Sequence, residues 1–146
     1  MSDLMSCDEI LQHIEKDSGI NPTNLEAEVI RTMSLQVKYL RYHRNYKEYL
    51  IKAWRRIEQI EVELHDYYSG EASADVYRQR PFNGIIKNQA ELTRRINGDD
   101  RIQAAKSITQ LAEDTIEKIS AMLDSLKYRN NHIATMLEIR KFESGA

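Results

Sequence analysis

The sequence predicts an all-α protein made of long helices with coiled-coil-like seams. Among 146 residues there are only 5 Gly and 2 Pro, so few positions interrupt a helix. Apolar residues make up 41% of the chain and charged residues 30%, and the apolar residues recur at helical spacing through long stretches. Because no run of β-branched residues competes with this pattern, we expect a single all-helical domain, residues 1–146, folded as an elongated helical hairpin or bundle.

The first segment, CDEILQHIEKDSG, predicts a short amphipathic helix that ends at Gly19. Its apolar residues share one side: Ile10, Leu11 and Ile14. Asn21 is a favoured N-cap and Pro22 is favoured at the first helical position, so we expect the second helix to begin there.

Nothing breaks the second helix until about Tyr68, which gives a rod roughly 70 Å long at about 1.5 Å per residue. Its later part carries a heptad seam: Leu50, Ala53, Ile57, Ile60, Leu64 and Tyr67. Its earlier part carries a stripe with steps nearer four: Leu25, Val29, Met33, Val37 and Leu40. A rod this long exceeds the core of a small domain, so it must pair with another helix or another subunit.

Four tyrosines also share one face of this helix among basic residues. The tyrosines are Tyr39, Tyr42, Tyr46 and Tyr49, and the cations are Lys38, Arg41, Arg44, Lys47 and Lys52. This face fits a base-stacking track with phosphate contacts. It equally fits a packed aromatic seam covered by lysine and arginine stems.

The turn after the second helix carries three tyrosines and two arginines in HDYYSGEASADVYRQRPF, residues 65–82. Tyr67 falls on the apolar seam and is expected to pack inward, whereas Tyr68 is expected to point away from it. Tyr77 lies beside the arginines, where rings and guanidinium groups can stack bases and hold phosphates. Alternatively, Tyr77 and Phe82 fasten the loop to the helices.

The stretch before Pro81 is expected to be extended, because proline disfavours a helical conformation of the residue that precedes it. Alternation would then place Arg78 and Arg80 on one side, with Gln79 opposite. A short helix is expected over residues 83–96.

Gly98 can end that short helix and Asp100 can cap the next one, with Gln103 three residues later. The last rod then holds a strict a/d pattern: Ile102, Ala105, Thr109, Ala112, Ile116, Ile119, Leu123 and Leu126. The pattern continues at Ile133, Met136 and Leu137. Asn130 and Asn131 are expected to break or kink this helix.

Charge is distributed in bands although the net charge is only −2. Residues 31–56 are basic with Glu48 as the one acid, residues 58–75 contain acids but no Lys or Arg, and residues 78–106 are basic again. Each band fits a solvated helix face. Two basic zones that meet across a hairpin would instead form a surface for a polyanion.

Catalytic and metal-binding motifs are absent from the sequence. There is no Gly-rich phosphate loop, no G-x-S-x-G and no H-E-x-x-H, and the four histidines lack metal-ligand spacing. We therefore expect no enzyme, no cofactor and no metal. The single Cys7, the lack of a signal-like start and the lack of an apolar run of about 18 residues predict a cytoplasmic protein away from membranes.

A series of short motifs resembles one known family. DYYSG (Asp66–Gly70) ends a long helix, DVYRQRPF (Asp75–Phe82) follows, a helix start at Asp99-Asp100 comes next, and RKFESGA (Arg140–Ala146) closes the chain. In this order and in a chain of this length, the motifs resemble the UvsY recombination mediators of T-even and related tailed phages. The resemblance spans nearly the whole chain.

The resemblance implies a single-stranded DNA-binding recombination mediator that acts in the host cell cytoplasm. Such proteins form ring-like homo-oligomers larger than a dimer and contact the phage recombinase and the phage single-strand-binding protein. They help the recombinase nucleate on DNA that the other protein coats, and they hydrolyse nothing. Residues 22–98 would then be the DNA-binding part and residues 99–146 the oligomerisation part. A helical adapter that binds only proteins is the alternative.

One departure affects the site. The family's Lys-x-Arg pair, tied to DNA binding, matches Val62 and Leu64 here, so other residues must bind the strand. The DNA-binding candidates are Lys52, Arg55, Arg56, Tyr68, Tyr77, Arg78, Arg80 and Lys87. The oligomerisation candidates are Ile116, Ile119, Leu123, Leu126, Ile133, Leu137 and Phe142. Of these, Ile133, Leu137 and Phe142 are the apolar members of the C-terminal segment Arg129–Ala146 that the resemblance associates with assembly.

Overall fold

A computed structural model describes residues 4–145 of the chain. The helices are α1 (Cys7–Asp17), α2 (Leu25–Ser69), α3 (Ala74–Gln79), α4 (Gln89–Asn97) and α5 (Asp100–Glu143). No strand occurs among the described residues, which confirms the all-α prediction. None of the helices in residues 4–145 combines the length and apolar character that a membrane crossing requires.

The ends of α1 and α2 follow from capping chemistry. Ser6 and Glu9 form a reciprocal capping box at the start of α1. At α2 the Ala27 N–H donates to the Asn24 side chain at 3.2 Å, so Asn24 is the cap. The prediction of Asn21 as cap is wrong, because the Asn21 side chain accepts from the Thr23 N–H and holds the preceding turn.

In the second half of the chain one predicted cap is correct and one is displaced by one position. The Gly98 N–H closes α4, as expected. The side chain of Asp99, rather than Asp100, accepts the Arg101 N–H at 2.9 Å at the start of α5. The break predicted at residues 130–131 is wrong, because α5 runs as one helix through both asparagines.

The described residues form two compact units. The first contains the residues up to Glu48 together with those from Ala112 onwards, and the second contains Tyr49–Leu111. The apolar core of the first unit comprises Ile10, Leu25, Leu35, Tyr39, Tyr46, Ala112, Ile116, Ile119, Met122, Leu126 and Ile133. In the second unit the core contains Ile60, Leu64, Tyr67, Tyr68, Leu92 and Ile102, so the heptad seam predicted for the later part of α2 is confirmed.

A buried polar network fastens α1 inside the first unit. Asp17, at the end of α1, accepts from Lys38 at 2.6 Å and from the Tyr39 hydroxyl at 2.9 Å. The Arg129 guanidinium of α5, whose side chain is 5% exposed, donates to the carbonyl oxygens of Asp17 and Gly19. It also forms an ion pair with Glu28. Every charge in this network therefore has a partner of opposite sign.

The apolar stripe predicted for the earlier part of α2 is buried within the chain only at Leu25, and its pairing with another subunit stays a prediction. Val29, Met33, Val37 and Leu40 are all exposed. The buried face of this helix instead holds residues that serve the polar network or pack rings: Glu28, Thr32, Leu35, Tyr39 and Tyr46. The reason is that Asp17 and Arg129 need hydrogen-bonding partners, and only this second face supplies them.

The tyrosine face of α2 packs inward. Tyr39 and Tyr46 are buried, and their hydroxyls donate to Asp17 Oδ2 at 2.9 Å and to the Met5 carbonyl oxygen at 2.6 Å. Tyr42 contacts Tyr39 edge to face at 5.5 Å. The packed aromatic seam is confirmed for Tyr39 and Tyr46, and the base-stacking alternative is wrong for these two because their rings lie in the core.

Candidate nucleic-acid interface

All the predicted DNA-binding residues lie in the second unit, and the turn that ends α2 brings several of them together. Its centre is an aromatic cluster of Tyr67, Tyr68, Tyr77 and Phe82. Tyr77 stacks on Tyr67 at a centroid distance of 5.4 Å, and Phe82 meets Tyr68 edge to face at 5.1 Å. The Tyr77 hydroxyl donates to the Tyr67 carbonyl oxygen at 2.7 Å. The interpretation that these rings fasten the turn is confirmed.

The connecting chain passes directly over this cluster. A Cβ atom at Gly84 would lie 2.7 Å from Phe82 Cζ, well inside van der Waals contact. Glycine therefore lets the backbone cross the Phe82 ring before it reaches Lys87 and α4. The aromatic cluster thus fixes the path of the chain on which Lys87 is carried.

Arg80 is held against the cluster by a buried carboxylate. Arg80 Nη2 lies 2.9 Å from Asp99 Oδ2, and the Tyr68 hydroxyl donates to the same oxygen at 2.7 Å. The guanidinium also lies over the Tyr67 ring, 4.9 Å from its centroid. Tyr68 is only 9% exposed, so the expectation that it points away from the core is wrong. The reason is that its hydroxyl is needed to satisfy Asp99.

The Asp99 carboxyl stays ionised in this setting. Its burial acts to raise its pKa, but hydrogen bonds from Tyr68 and the Arg101 N–H, together with Arg80, outweigh burial and hold the pKa below its usual value. A permanent negative charge therefore fixes Arg80, whose side chain remains 51% exposed.

Arg78 differs from the expected geometry. It lies within helix α3 and pairs with Asp75 at 3.1 Å, with both side chains exposed. Only Arg80 leaves the helical conformation, at φ −137° and ψ 88°, as the residue before Pro81 must. The prediction that Arg78 and Arg80 alternate along an extended strand is wrong, because the constraint from proline reaches one residue and not three.

The four remaining predicted DNA-binding cations are exposed in the second unit. Lys52, Arg55 and Arg56 lie within about one turn of α2, and Lys87 precedes α4. Within residues 4–145 no ion pair engages these four side chains, and Arg56 makes only a 3.5 Å hydrogen bond to Gln59. The three cations on the helix are therefore available to an external anion.

Arg101 is a cation of this region that the motif analysis did not single out. Its side chain is 43% exposed and pairs with Glu63 of α2. Its backbone N–H donates to Asp99, the residue that also holds Arg80. In the sequence, Arg101 is included only in the second basic band, residues 78–106. No local motif indicates that it pairs with Glu63.

The comparison with known proteins agrees with this architecture. The sequence model of the family described as "Recombination, repair and ssDNA binding protein UvsY" matches residues 13–146. The chain belongs to the UvsY family. The recombination protein uvsY of Enterobacteria phage T4 is 26% identical over 145 residues, which covers 97% of this chain and 99% of the phage T4 protein.

Solved structures of a UvsY protein show the same fold. A crystal structure of the bacteriophage T4 recombination mediator protein UvsY, lattice type IV, matches with a TM-score of 0.78 at 22% identity, covering 95% of this chain and 99% of that one. Lattice type II of the same protein gives a TM-score of 0.79 at 21% identity, with coverage of 96% and 98%. At these identities the likeness establishes the all-α UvsY fold.

Val62 and Leu64, the two positions of α2 that depart from the UvsY pattern, differ in burial. Leu64 is 1% exposed and belongs to the core of the second unit, so a cation cannot replace it without burying an unpaired charge. Val62 is 63% exposed. Neither position carries a cation in this UvsY chain, and the DNA-binding residues named from other positions stay a prediction.

The predicted oligomerisation residues of this UvsY chain fall into two groups. Ile116, Ile119, Leu126 and Ile133 are buried within the chain's own first unit. Leu123 and Leu137 are partly buried, and Phe142 is 86% exposed. Ala146, the end of the predicted segment, lies outside the described residues. A role of these seven residues in assembly stays a prediction, and Phe142 is the member most available to a partner.

Proposed function

We propose that this chain is a single-stranded DNA-binding recombination mediator. It helps a strand-exchange recombinase load onto DNA coated by a single-strand-binding protein, in phage recombination and repair in the host cytoplasm. Membership of a family described by recombination, repair and single-stranded DNA binding supports the proposal. The observation that carries it is the set of exposed, unpaired cations on α2, Lys52, Arg55 and Arg56, on the same unit as the aromatic turn.

The strand runs, in this proposal, along the later part of α2 toward the turn. Lys52, Arg55 and Arg56 lie about 20–25 Å from the end of α2 at about 1.5 Å per residue, a distance that several nucleotides span. Arg78, Arg80 and Lys87 provide the phosphate contacts at the turn. Because all six contact phosphates rather than base edges, binding is independent of sequence.

The two tyrosines among the predicted DNA-binding residues have different roles in this proposal. Tyr68 contributes through Arg80, because its hydroxyl and the Arg80 guanidinium share Asp99. Tyr77 is half-buried and leaves part of its ring for a base. The proposed role needs no covalent step and no cofactor, and among the described residues no cluster of His, Cys, Asp and Glu has the composition to hold a metal ion.

A salt titration tests the proposal against the adapter that binds only proteins. The affinity for an oligo-dT strand should fall with rising salt, with a logarithmic slope of about −0.7 per phosphate neutralised. Strand exchange by a recombinase on coated DNA should start faster when the chain is added. An affinity for DNA that is absent, or indifferent to salt, would favour the adapter.

Self-association is the second part of the proposal, with a homo-oligomer larger than a dimer as the working form. The exposed apolar residues of the first unit support it: Val29, Met33, Val37, Leu40, Ile139 and Phe142. Val29, Met33, Val37 and Leu40 recur every three to four residues and so share one face of α2, and a contiguous exposed apolar face usually marks a contact surface. A ring of subunits would also repeat the DNA contacts, so that modest sites bind one strand tightly.

Replacing Ile139 and Phe142 together with serine is expected to shift the protein to smaller species with unchanged helicity. Both side chains are exposed, so their replacement leaves the buried Arg129 and Ile133 in place. Deletion of the whole segment from residue 129 would remove these two buried residues as well. Sedimentation velocity and circular dichroism measure the two effects. Serine at the exposed Lys141 is the matched control. Wild-type protein that sediments as a monomer at micromolar concentration would refute the assembly proposal.

A further inference from the structure

A cavity of about 420 Å³ lies in the second unit beside the end of α2. Two guanidinium groups, those of Arg80 and Arg101, line it together with the Ser73 side chain. Ser73 is the N-cap of α3, yet its side chain makes no capping hydrogen bond. The cavity therefore offers two cationic forks and a free hydroxyl to a ligand.

One buried carboxylate contacts the guanidinium of Arg80 and the backbone of Arg101. Asp99 Oδ2 lies 2.9 Å from Arg80 Nη2, and Asp99 Oδ1 accepts the Arg101 backbone N–H at 2.9 Å. The Asp99 side chain is only 1% exposed, whereas the side chains of Arg80 and Arg101 are 51% and 43% exposed. Asp99 engages one nitrogen of the Arg80 guanidinium and Glu63 one nitrogen of the Arg101 guanidinium, so each arginine keeps further N–H donors for a ligand in the cavity.

In the free chain a carboxylate occupies one of these forks. Arg101 Nη2 pairs with Glu63 Oε2, and the Glu63 side chain is 51% exposed. An exposed pair of this kind contributes little net stability, so a competing anion can displace the carboxylate. A phosphodiester accepts two parallel hydrogen bonds from a guanidinium as readily as a carboxylate does.

We propose that Arg80 and Arg101 form a clamp for one phosphate of the bound single strand, and that Glu63 occupies Arg101 until DNA displaces it. This inference rests on the proposed DNA-binding function and adds Arg101 as a binding residue and Glu63 as its competitor. The Asp66 carboxylate also lines the cavity and opposes an anion, so the clamp contributes one contact among several along the strand.

The competing explanation is that the pair between Glu63 and Arg101 only joins α2 to α5. The two explanations predict different effects of Glu63→Gln on the affinity for oligo-dT. If Glu63 competes with phosphate, its neutralisation frees Arg101 and tightens binding about two- to fivefold. If the pair is only a structural link, the substitution leaves binding unchanged or weakens it through partial unfolding.

The experiment is a double-mutant cycle on the full chain with oligo-dT at several salt concentrations. Arg101→Ala is expected to weaken binding about fivefold at 0.1 M salt and to reduce the salt exponent by about 0.7, the value for one phosphate contact on a single strand. Glu63→Gln is expected to have no further effect when combined with Arg101→Ala. Glu61→Gln, an exposed acid two residues away, is the control for a general change in charge.

Circular dichroism and thermal melting show that each variant is folded. The clamp is overturned if Glu63→Gln binds no better than Glu61→Gln, or if Glu63→Gln still tightens binding in the Arg101→Ala background. It is also overturned if Arg101→Ala stays folded and binds with the wild-type salt exponent. If the wild-type chain itself fails to bind oligo-dT, both the proposed function and the clamp are wrong. If the wild-type chain binds and only the variants depart from these expectations, the clamp alone is wrong.

Discussion

Replacement of Arg129 by methionine is expected to lower the free energy of unfolding by about 3–5 kcal/mol. The side chain is 5% exposed, pairs with Glu28, and donates to the carbonyl oxygens of Asp17 and Gly19. Methionine keeps the aliphatic volume but leaves the Glu28 carboxylate, 8% exposed, with only the partly exposed Arg31 at 3.3 Å as a charged partner. Chemical denaturation followed by circular dichroism measures the change.

A matched pair of controls isolates the cause. Lys127→Met removes an exposed pair with Asp124 one turn earlier in the same helix and should cost less than about 1 kcal/mol. Adding Glu28→Met to Arg129→Met should recover part of the loss, because both buried charges are then gone. A single Arg129→Met variant as stable as wild type would show that solvent reaches this network.

Replacement of Lys52, Arg55 and Arg56 together by alanine is expected to weaken binding to oligo-dT about 100-fold at 0.1 M salt. Three lost phosphate contacts, at about 0.7 each, lower the salt exponent by about 2. If wild type and variant bind equally at 1 M salt, this difference in exponent makes their affinities differ about 100-fold at 0.1 M salt. The three side chains are exposed and form no ion pair within the described part of the chain, so helicity and assembly should survive. Fluorescence anisotropy over a salt series provides both numbers.

The control removes the same charge elsewhere. Lys16, Lys118 and Lys141 are exposed cations of the first unit, and their joint replacement by alanine changes the net charge equally. This control should alter binding only slightly. If both triple variants bind alike, net charge rather than a track along α2 governs the affinity, and the site lies elsewhere.

Much of the fold was predictable because the spacing of apolar residues indicates helices and the positions of Gly and Pro indicate where they end. α1, the later seam of α2 and the rod α5 follow from spacing alone, as does the inward position of Tyr67. Cap residues were displaced, as Asn24 and Asp99 show, because two polar residues close in sequence compete for the same cap and only the full backbone geometry selects one.

The earlier part of α2 shows what spacing cannot decide. It carries two candidate faces, one aliphatic through Met33 and one aromatic through Tyr39, and both have helical period. The chain buries the second, because Asp17 and Arg129 supply polar groups that Tyr39 and Glu28 can satisfy. Those partners lie far away in sequence, so no local window contains the information.

The candidate site was also predictable only in part from the sequence. The residue types at the turn, aromatic rings beside cations, were visible in the sequence. The connections were not, since Asp99 joins Tyr68 and Arg80, and Glu63 joins Arg101 across 38 positions. Whether Tyr68 meets DNA directly or through Arg80 depends on its burial, which a motif does not encode.

The long sequence separation at Arg129 has a consequence for synthesis of the chain. Arg129 is separated by 112 positions from Asp17 and by 101 from Glu28. While the ribosome is still producing the middle of the protein, α1 and the start of α2 exist without the cation that closes their interior. The first unit can therefore complete its folding only near the end of translation, whereas Tyr49–Leu111 has its partners available earlier. Released chains that end before and after residue 129 should differ sharply in protease resistance of the N-terminal segment.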